Sequence, residues 1–275
     1  MPAEPFALEA RESQRLVDDL LRRSGGDAPF SVHLAGPDDD AALLSLQVAA
    51  DVFLESFGNT ASLLRDEYAP LLPSMTHVLV LDRARRAAVG SLILQAAPAG
   101  ELKTFADLAQ PPWSLPADGA LAAVDLSYGA RTAADLLLLA VSSTHRNRGL
   151  AALLMYAGWV ASVQQGIDRW TAILDDSLLR GLHGLTGGAV RPIAASHPYL
   201  GSPASTPITV RMSPALDLPL LRRIQRVGAI AASRVTFCPH LASAVETFQA
   251  LGPATAAGAR RRPSTPRVRE AALSH

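Results

Sequence analysis

Two rhythms of apolar and polar positions run along the chain, and they meet near its middle. Asp135 to Val141 reads DLLLLAV, a short apolar block of the kind a buried strand needs. A polar, basic turn follows, SSTHRNRG, and then an apolar run from Leu150 to Val163. That run predicts a buried core helix over about Gly149–Gln165. A strand therefore empties into two arginines and a glycine before a helix begins.

The flanking segments repeat the same two rhythms. Phe6 to Arg23 predicts a charged amphipathic helix, which SGGDAP ends. FSVHLA (Phe30–Ala35) predicts a first strand, and GPDDD offers an aspartate N-cap to a helix from about Ala41 toward Phe57. A second helix begins after GNT, near Ala61. Thr76–Asp82 and Ala87–Ala97 predict a hairpin around RARR. Residues 98–132 are less regular, with a short helix in KTFADLAQ and a proline-rich loop, PPWSLPADG. Beyond the central turn the pattern predicts a strand at Trp170–Leu174, a helix at about Asp176–Leu185 ending on glycine, and a strand at Thr206–Ser213. Two further helices are expected at Leu218–Ser233, with Asp217 as N-cap, and at His240–Leu251. This order predicts an α/β or α+β layered domain on one mixed sheet. Its parts are an N-terminal helical extension over 1–28, the main domain over 29–213, C-terminal helices over 214–251 and a disordered basic tail over 252–275.

Composition narrows the classes. The chain has 275 residues, 49% of them hydrophobic, so a sizeable core can form. Formal net charge is zero, which argues against a general polyanion binder, and no nucleic-acid partner is expected. Lys103 is the only lysine, which reads as a genome-wide preference for arginine. The single cysteine, Cys238, cannot form an internal disulfide and reads as a buried small hydrophobe in a reduced, cytoplasmic setting. The acidic, proline-bearing start does not look like a signal peptide, and no apolar run reaches the roughly 18–20 residues of a membrane helix. The seven histidines are scattered without ligand spacing, so no metal is expected.

The central turn carries the chemistry. A helix leaves its first backbone N–H groups free, and its dipole favours negative charge in front of them. A glycine lets a ligand approach the backbone, and Arg146 and Arg148 add positive charge, so the turn suits a pyrophosphate. The spacing Arg146-Asn147-Arg148-Gly149-Leu150-Ala151 fits Arg/Gln-x-x-Gly-x-Gly/Ala between a strand and a buried helix. It resembles the acyl-CoA signature of the GNAT superfamily of N-acetyltransferases. The family's Asn-x6-Tyr-x3-Gly also has a counterpart in Asp176, His183 and Gly187, with Asn and Tyr replaced. The resemblance covers roughly residues 30–213. It implies a GNAT-like mixed central β-sheet with helices on both faces, flanked by the N- and C-terminal helical extensions. It also implies acetyl-CoA or another acyl-CoA as co-substrate, and transfer to an amine of a small molecule or protein.

The resemblance further implies a backbone N–H between Leu139 and Val141 that polarises the thioester carbonyl, and His183 in place of the tyrosine that protonates the thiolate. His183 could equally mark a lost acid or a different acceptor; Tyr156 reads as core. Asp125, in the apolar setting AAVDLSYG, is the candidate base, while Asp135 reads as a polar strand start and Asp175 and Asp176 as helix caps. Tyr128 and Trp113 are candidates for lining an acceptor or acyl pocket. The long segments 98–132 and VRPIAASHPYLGSPASTPITV also resemble N-acyl amino acid and acyl-homoserine lactone synthases. That reading brings an acyl carrier protein as donor, with Arg83–Arg86 as a docking patch. A module that binds acyl-CoA or a protein partner without catalysis is the third reading.

Overall fold

A computed structural model describes residues 4–116, 119, 132–167, 169–186, 189–211, 222, 225–226 and 233–249. Asp125, Tyr128, Gly187, most of the helix expected at Leu218–Ser233 and the basic tail lie outside them. Among the described residues nine strands form one mixed sheet: β1 (Phe30–Ala35), β2 (Met75–Asp82), β3 (Ala87–Pro98), β4 (Thr132–Val141), β5 (Arg169–Asp175), β6 (Val190–Pro192), β7 (His197–Tyr199), β8 (Ser202–Arg211) and β9 (Val235–Phe237). The spatial order is β6-β8-β5-β4-β3-β2-β1-β9, with β7 paired to β8. Seven α helices accompany them: α1 (Ala10–Ser24), α2 (Asp40–Phe57), α3 (Ala61–Tyr68), α4 (Lys103–Leu108), α5 (Leu150–Gln164), α6 (Asp176–Thr186) and α7 (Pro239–Gln249).

The two faces of the sheet bury separate cores. One holds α5, α6 and α7 against Val80, Leu92 and Leu136; the other holds α1, α2 and Tyr68 against Leu79, Ile93 and Leu138. Neighbouring strand residues thus serve opposite faces, as the pleat requires. Helix α5 is buried nearly all round, which is why its sequence reads as one apolar run.

Several expectations change in detail. The first helix begins at Ala10 and not at Phe6; Phe6 is instead buried, with its ring 6.5 Å from that of Tyr68. Asp39 stands at the N-cap of α2, but its carboxylate accepts from the N–H of Gly36 (2.9 Å) and makes no cap bond to the helix. Three short strands escaped the sequence reading, because three residues carry too little pattern. One of them, β9, runs parallel to β1 and joins the C-terminal segment to the sheet. Cys238 is half-buried beside it.

Candidate active site

β4 has one paired edge and one open edge. Against β3 it pairs from Thr132 to Val141, with a break in register that skips Leu137. Against the parallel β5 it pairs only at Ala134–Trp170 and Asp135–Thr171, although both strands run on. The break is a β-bulge, and the side chains confirm it: Leu137 and Leu138 both turn to the α2 face, while Leu136 and Leu139 turn to the α5 face. A bulge bends and twists its strand. It sits two residues past the last rung shared with β5, where the two strands part.

Asp135 fixes this branching point. It is fully buried, not the polar strand start its sequence suggested. Its carboxylate accepts from the N–H and hydroxyl of Thr104 (both 2.6 Å) and from the Thr171 hydroxyl (2.9 Å). Burial pushes its pKa up to about 6, against those hydrogen bonds. The side chain therefore ties α4 to the last rung between β4 and β5.

A pocket of about 930 Å³ fills the opening. Leu136, Leu137, Leu139 and Val141 line it from β4, and Ile173, Leu174 and Asp175 from β5. It passes through the sheet, since members of both cores line it: Met155 and Leu182 on one face, Val52 and Tyr68 on the other.

The basic turn stands at the pocket's mouth. Gly149 is the N-cap of α5, left-handed at φ +81°, with no side-chain cap bond and open space where a Cβ would project. Asn147 is also left-handed, at φ 62°. Asn147, Gly149, Leu150 and Ala151 line the pocket, so the free N–H groups at the start of α5 face it. Arg146 lines it too, and its guanidinium donates to the Ser56 hydroxyl at 2.9 Å in the last turn of α2. Arg148 is exposed and is not among the lining residues. Beneath the turn His145 is buried, its Nε2 2.9 Å from Asp82 and its Nδ1 beside the Ser142 and Thr144 hydroxyls. This residue anchors the turn to the β2–β3 hairpin.

Other expected site residues face elsewhere. His183 is exposed and does not line the pocket. Leu178, Gly181 and Gly184, at three-residue spacing, line it, and positions two apart on a helix do not share a face. Asp176 is turned to Thr206 (2.7 Å) and Ser196 (3.0 Å), tying α6 to the strands after it. Asp175 does reach the pocket: burial pushes its carboxyl up, but hydrogen bonds from Ser177 and Ser202 outweigh this and hold it below its usual range. Tyr156 is core, its hydroxyl accepting from Gln249 at 2.9 Å. Trp113 packs behind Tyr199, ring centroids 5.5 Å apart, and donates to the Ala195 carbonyl. Arg83, Arg85 and Arg86 of the hairpin bond to Ser24, His145 and Asp18 respectively.

The sequence reading passed over a buried cluster behind the pocket wall. Lys103 is buried, and its ammonium donates to Glu67, to Asp107 (2.7 and 2.9 Å) and to the Tyr199 hydroxyl (3.1 Å). It lies 5.4 Å from the Tyr68 ring centre and 5.7 Å from that of Tyr199. The Tyr199 hydroxyl in turn donates to Asp107 at 2.5 Å. Burial, then the negative neighbours Asp107 and Glu67 together with Tyr68, push its pKa far upward. Tyr68 and Tyr199 line the pocket in front of this cluster. The signal was available: a chain that uses arginine at every other basic position keeps one lysine where a compact point charge fits between two rings. Next to it, the turn at Leu200–Gly201 closes against α2. The Asn59 side chain donates to the Leu200 carbonyl (2.8 Å), and a Cβ on left-handed Gly201 would meet the Phe57 carbonyl at 2.8 Å.

No protein-family model matches the chain, and no curated protein does. Solved structures do. FeeM, an N-acyl amino acid synthase from uncultured soil microbes, aligns over 72% of this chain and 96% of its own at a TM-score of 0.51 and 13% identity. BjaI, a CoA-dependent acyl-homoserine lactone synthase solved with SAM and isopentyl-CoA, aligns over 78% of this chain and 98% of its own, at 0.49 and 19%. Mosquito arylalkylamine N-acetyltransferase like 5b aligns over 66% and 99%, at 0.46 and 15%. The likeness to FeeM shows the fold, and the expected GNAT-like mixed sheet with helices on both faces is the fold observed.

Proposed function

We propose that the protein is an N-acyltransferase that moves an acyl group from a CoA-type thioester to an amine. The observation that carries this is the open edge of β4 with an anion-competent helix start at its mouth. A pyrophosphate at the N–H groups of α5, flanked by Arg146, directs the rest of the donor between β4 and β5. There the unpaired backbone N–H groups of β4, between the bulge at Leu137 and Val141, are available to the thioester oxygen. The amine nitrogen attacks the carbonyl carbon, the C–S bond breaks, and the proton lost by the nitrogen ends on the sulfur. The products are an amide and a free thiol. The shared fold with an N-acyl amino acid synthase supports the same reaction class. Free CoA is favoured over a carrier protein as donor, because the three hairpin arginines of the expected docking patch all have partners within the chain.

The placement of His183 outside the pocket favours, as a second reading, a module that binds the thioester without transferring it. Incubation with acyl-CoAs and a panel of small amines separates the two, with thiol release as the readout. Release that depends on an amine supports the enzyme; tight CoA binding without release on any amine supports the module. His183→Phe is expected to leave thiol release unchanged. If the variant loses its release, the acid role implied by the family resemblance is restored.

A further inference from the structure

Charge divides the pocket between its two strands. The side that follows β4 is positive: the free N–H groups at the start of α5, and Arg146. The side that follows β5 is negative. Asp175, the last residue of β5, lines the pocket, and hydrogen bonds keep it ionised. One carboxylate oxygen accepts from the N–H (2.9 Å) and hydroxyl of Ser177, the other from the Ser202 hydroxyl (2.7 Å). Ser202 is paired with Tyr199 across the β7–β8 turn. Behind Tyr199 and Tyr68, the single ammonium of Lys103 faces two carboxylates, Glu67 and Asp107, so the cluster carries a negative excess. The wall registers that excess: burial, then Glu67, Asp107 and Asp135, push the pKa of Tyr68 well upward. Asp175 and this cluster form one negative flank, joined through Ser202 and Tyr199. Much of the remaining lining is apolar, with Val52, Phe53, Phe57, Leu137 and Leu200 among it, so little screens these charges.

Resting on the acyltransfer reading above, in which the donor's phosphates take the positive side, we propose that the negative flank selects the acceptor: a cationic amine that carries no carboxylate of its own. The ammonium is drawn to Asp175 and to the Tyr68–Tyr199 wall. An amino acid brings the same ammonium with a carboxylate on the adjacent carbon, and that carboxylate would enter the same flank and be repelled by it. The donor's own anionic groups already occupy the positive side, so the carboxylate has no partner left there. The acceptor class therefore differs from that of the N-acyl amino acid synthase whose fold the chain shares.

Titration calorimetry on the CoA-saturated protein tests this with matched pairs: phenethylamine against phenylalanine, tryptamine against tryptophan, and cadaverine against lysine. The members of each pair differ by one carboxylate. Each amine is expected to bind at least about tenfold tighter than its amino acid. Asp175→Asn, whose amide oxygen can still accept the Ser177 N–H at the helix start, is expected to cut that ratio at least about threefold. Glu67→Gln is expected to do the same, and both variants should keep the parent affinity for free CoA. Equal or tighter binding of the amino acids overturns the proposal. So does a full ratio that survives in both variants, or failure of every amine to bind. Thiol release from acetyl- and octanoyl-CoA with the same pairs tests the transfer separately. A preference for the amines in binding, without release, removes the transfer and leaves the selection standing. Failure of CoA itself to bind removes the donor reading, and this proposal with it.

Discussion

The two edges of β4 carry the same leucines and meet different fates. The edge toward β3 is paired from Thr132 to Val141 except at the bulged Leu137, and its residues hold the sheet together. The edge toward β5 closes at two rungs and then opens, and its residues line a pocket. Apolar content does not separate the two, because Leu136 to Leu139 serve both. The separating elements are polar: a buried carboxylate at the last rung, a bulge just beyond it, and a helix start whose N–H groups face the gap. Strand pairing is concentrated on the closed edge and the pocket lies along the open one.

That division can be broken experimentally. Ile93→Ala, on the strand paired to the closed edge and fully buried, is expected to cost about 3–4 kcal/mol of stability. It should leave the CoA affinity of the folded fraction unchanged. Thermal or denaturant melts against calorimetry measure both, and a loss of affinity without loss of stability would erase the distinction. Gly149→Glu should do the reverse. A carboxylate at the helix start is expected to weaken CoA binding at least about 100-fold, about 2.7 kcal/mol. Its stability loss should be limited to the roughly 1–2 kcal/mol of a left-handed side chain.

The hinge between the two edges has its own pH signature. Asp135 has its folded pKa raised to about 6, above its ordinary 3.8, so the folded state holds the proton more tightly. Its contribution is full below pH 4 and is lost as pH rises through 6, on the order of 3 kcal/mol. His33 and His77, buried and pushed down to about 4 by desolvation, slope the other way. Their contribution is full above 6.5 and is lost as pH falls through 4. The stability difference between Asp135→Asn and the parent chain, followed from pH 4 to 7, isolates the carboxyl. A difference that does not change with pH would show that Asp135 does not hold the hinge in the way described. The smallest effects compare the two arginines of the turn. Arg146→Ala is expected to weaken CoA binding about tenfold and Arg148→Ala less than twofold, since only the first lines the pocket. Equal losses would mean that long-range charge, and not contact, holds the donor.

Lys103 shows how a compositional signal was misread. Its rarity reflects the chain's preference for arginine, but its place in the structure shows why one lysine is kept. Its ammonium lies between two tyrosine rings and two carboxylates. His183 is a different case. Its spacing from Asp176 matched a motif, but the helix turns that position outward while its glycine and leucine neighbours face the gap.

By itself the sequence determined the elements and the mouth of the site. Strand and helix periodicities located nearly every long element to within a few residues. The Arg146-to-Ala151 spacing placed a helix start after β4, and α5 begins there. These are local properties, fixed by which neighbouring side chains must share a face and which backbone groups a helix leaves free. Only the tertiary structure decided that β4 and β5 part after Asp135, that the gap pierces the sheet, and that Lys103, Glu67, Asp107 and Tyr199 meet behind its wall. A strand's hydrophobic pattern records burial and not the partner at its edge. Residues as much as 132 positions apart in the chain, Glu67 and Tyr199, come together only when the sheet is assembled.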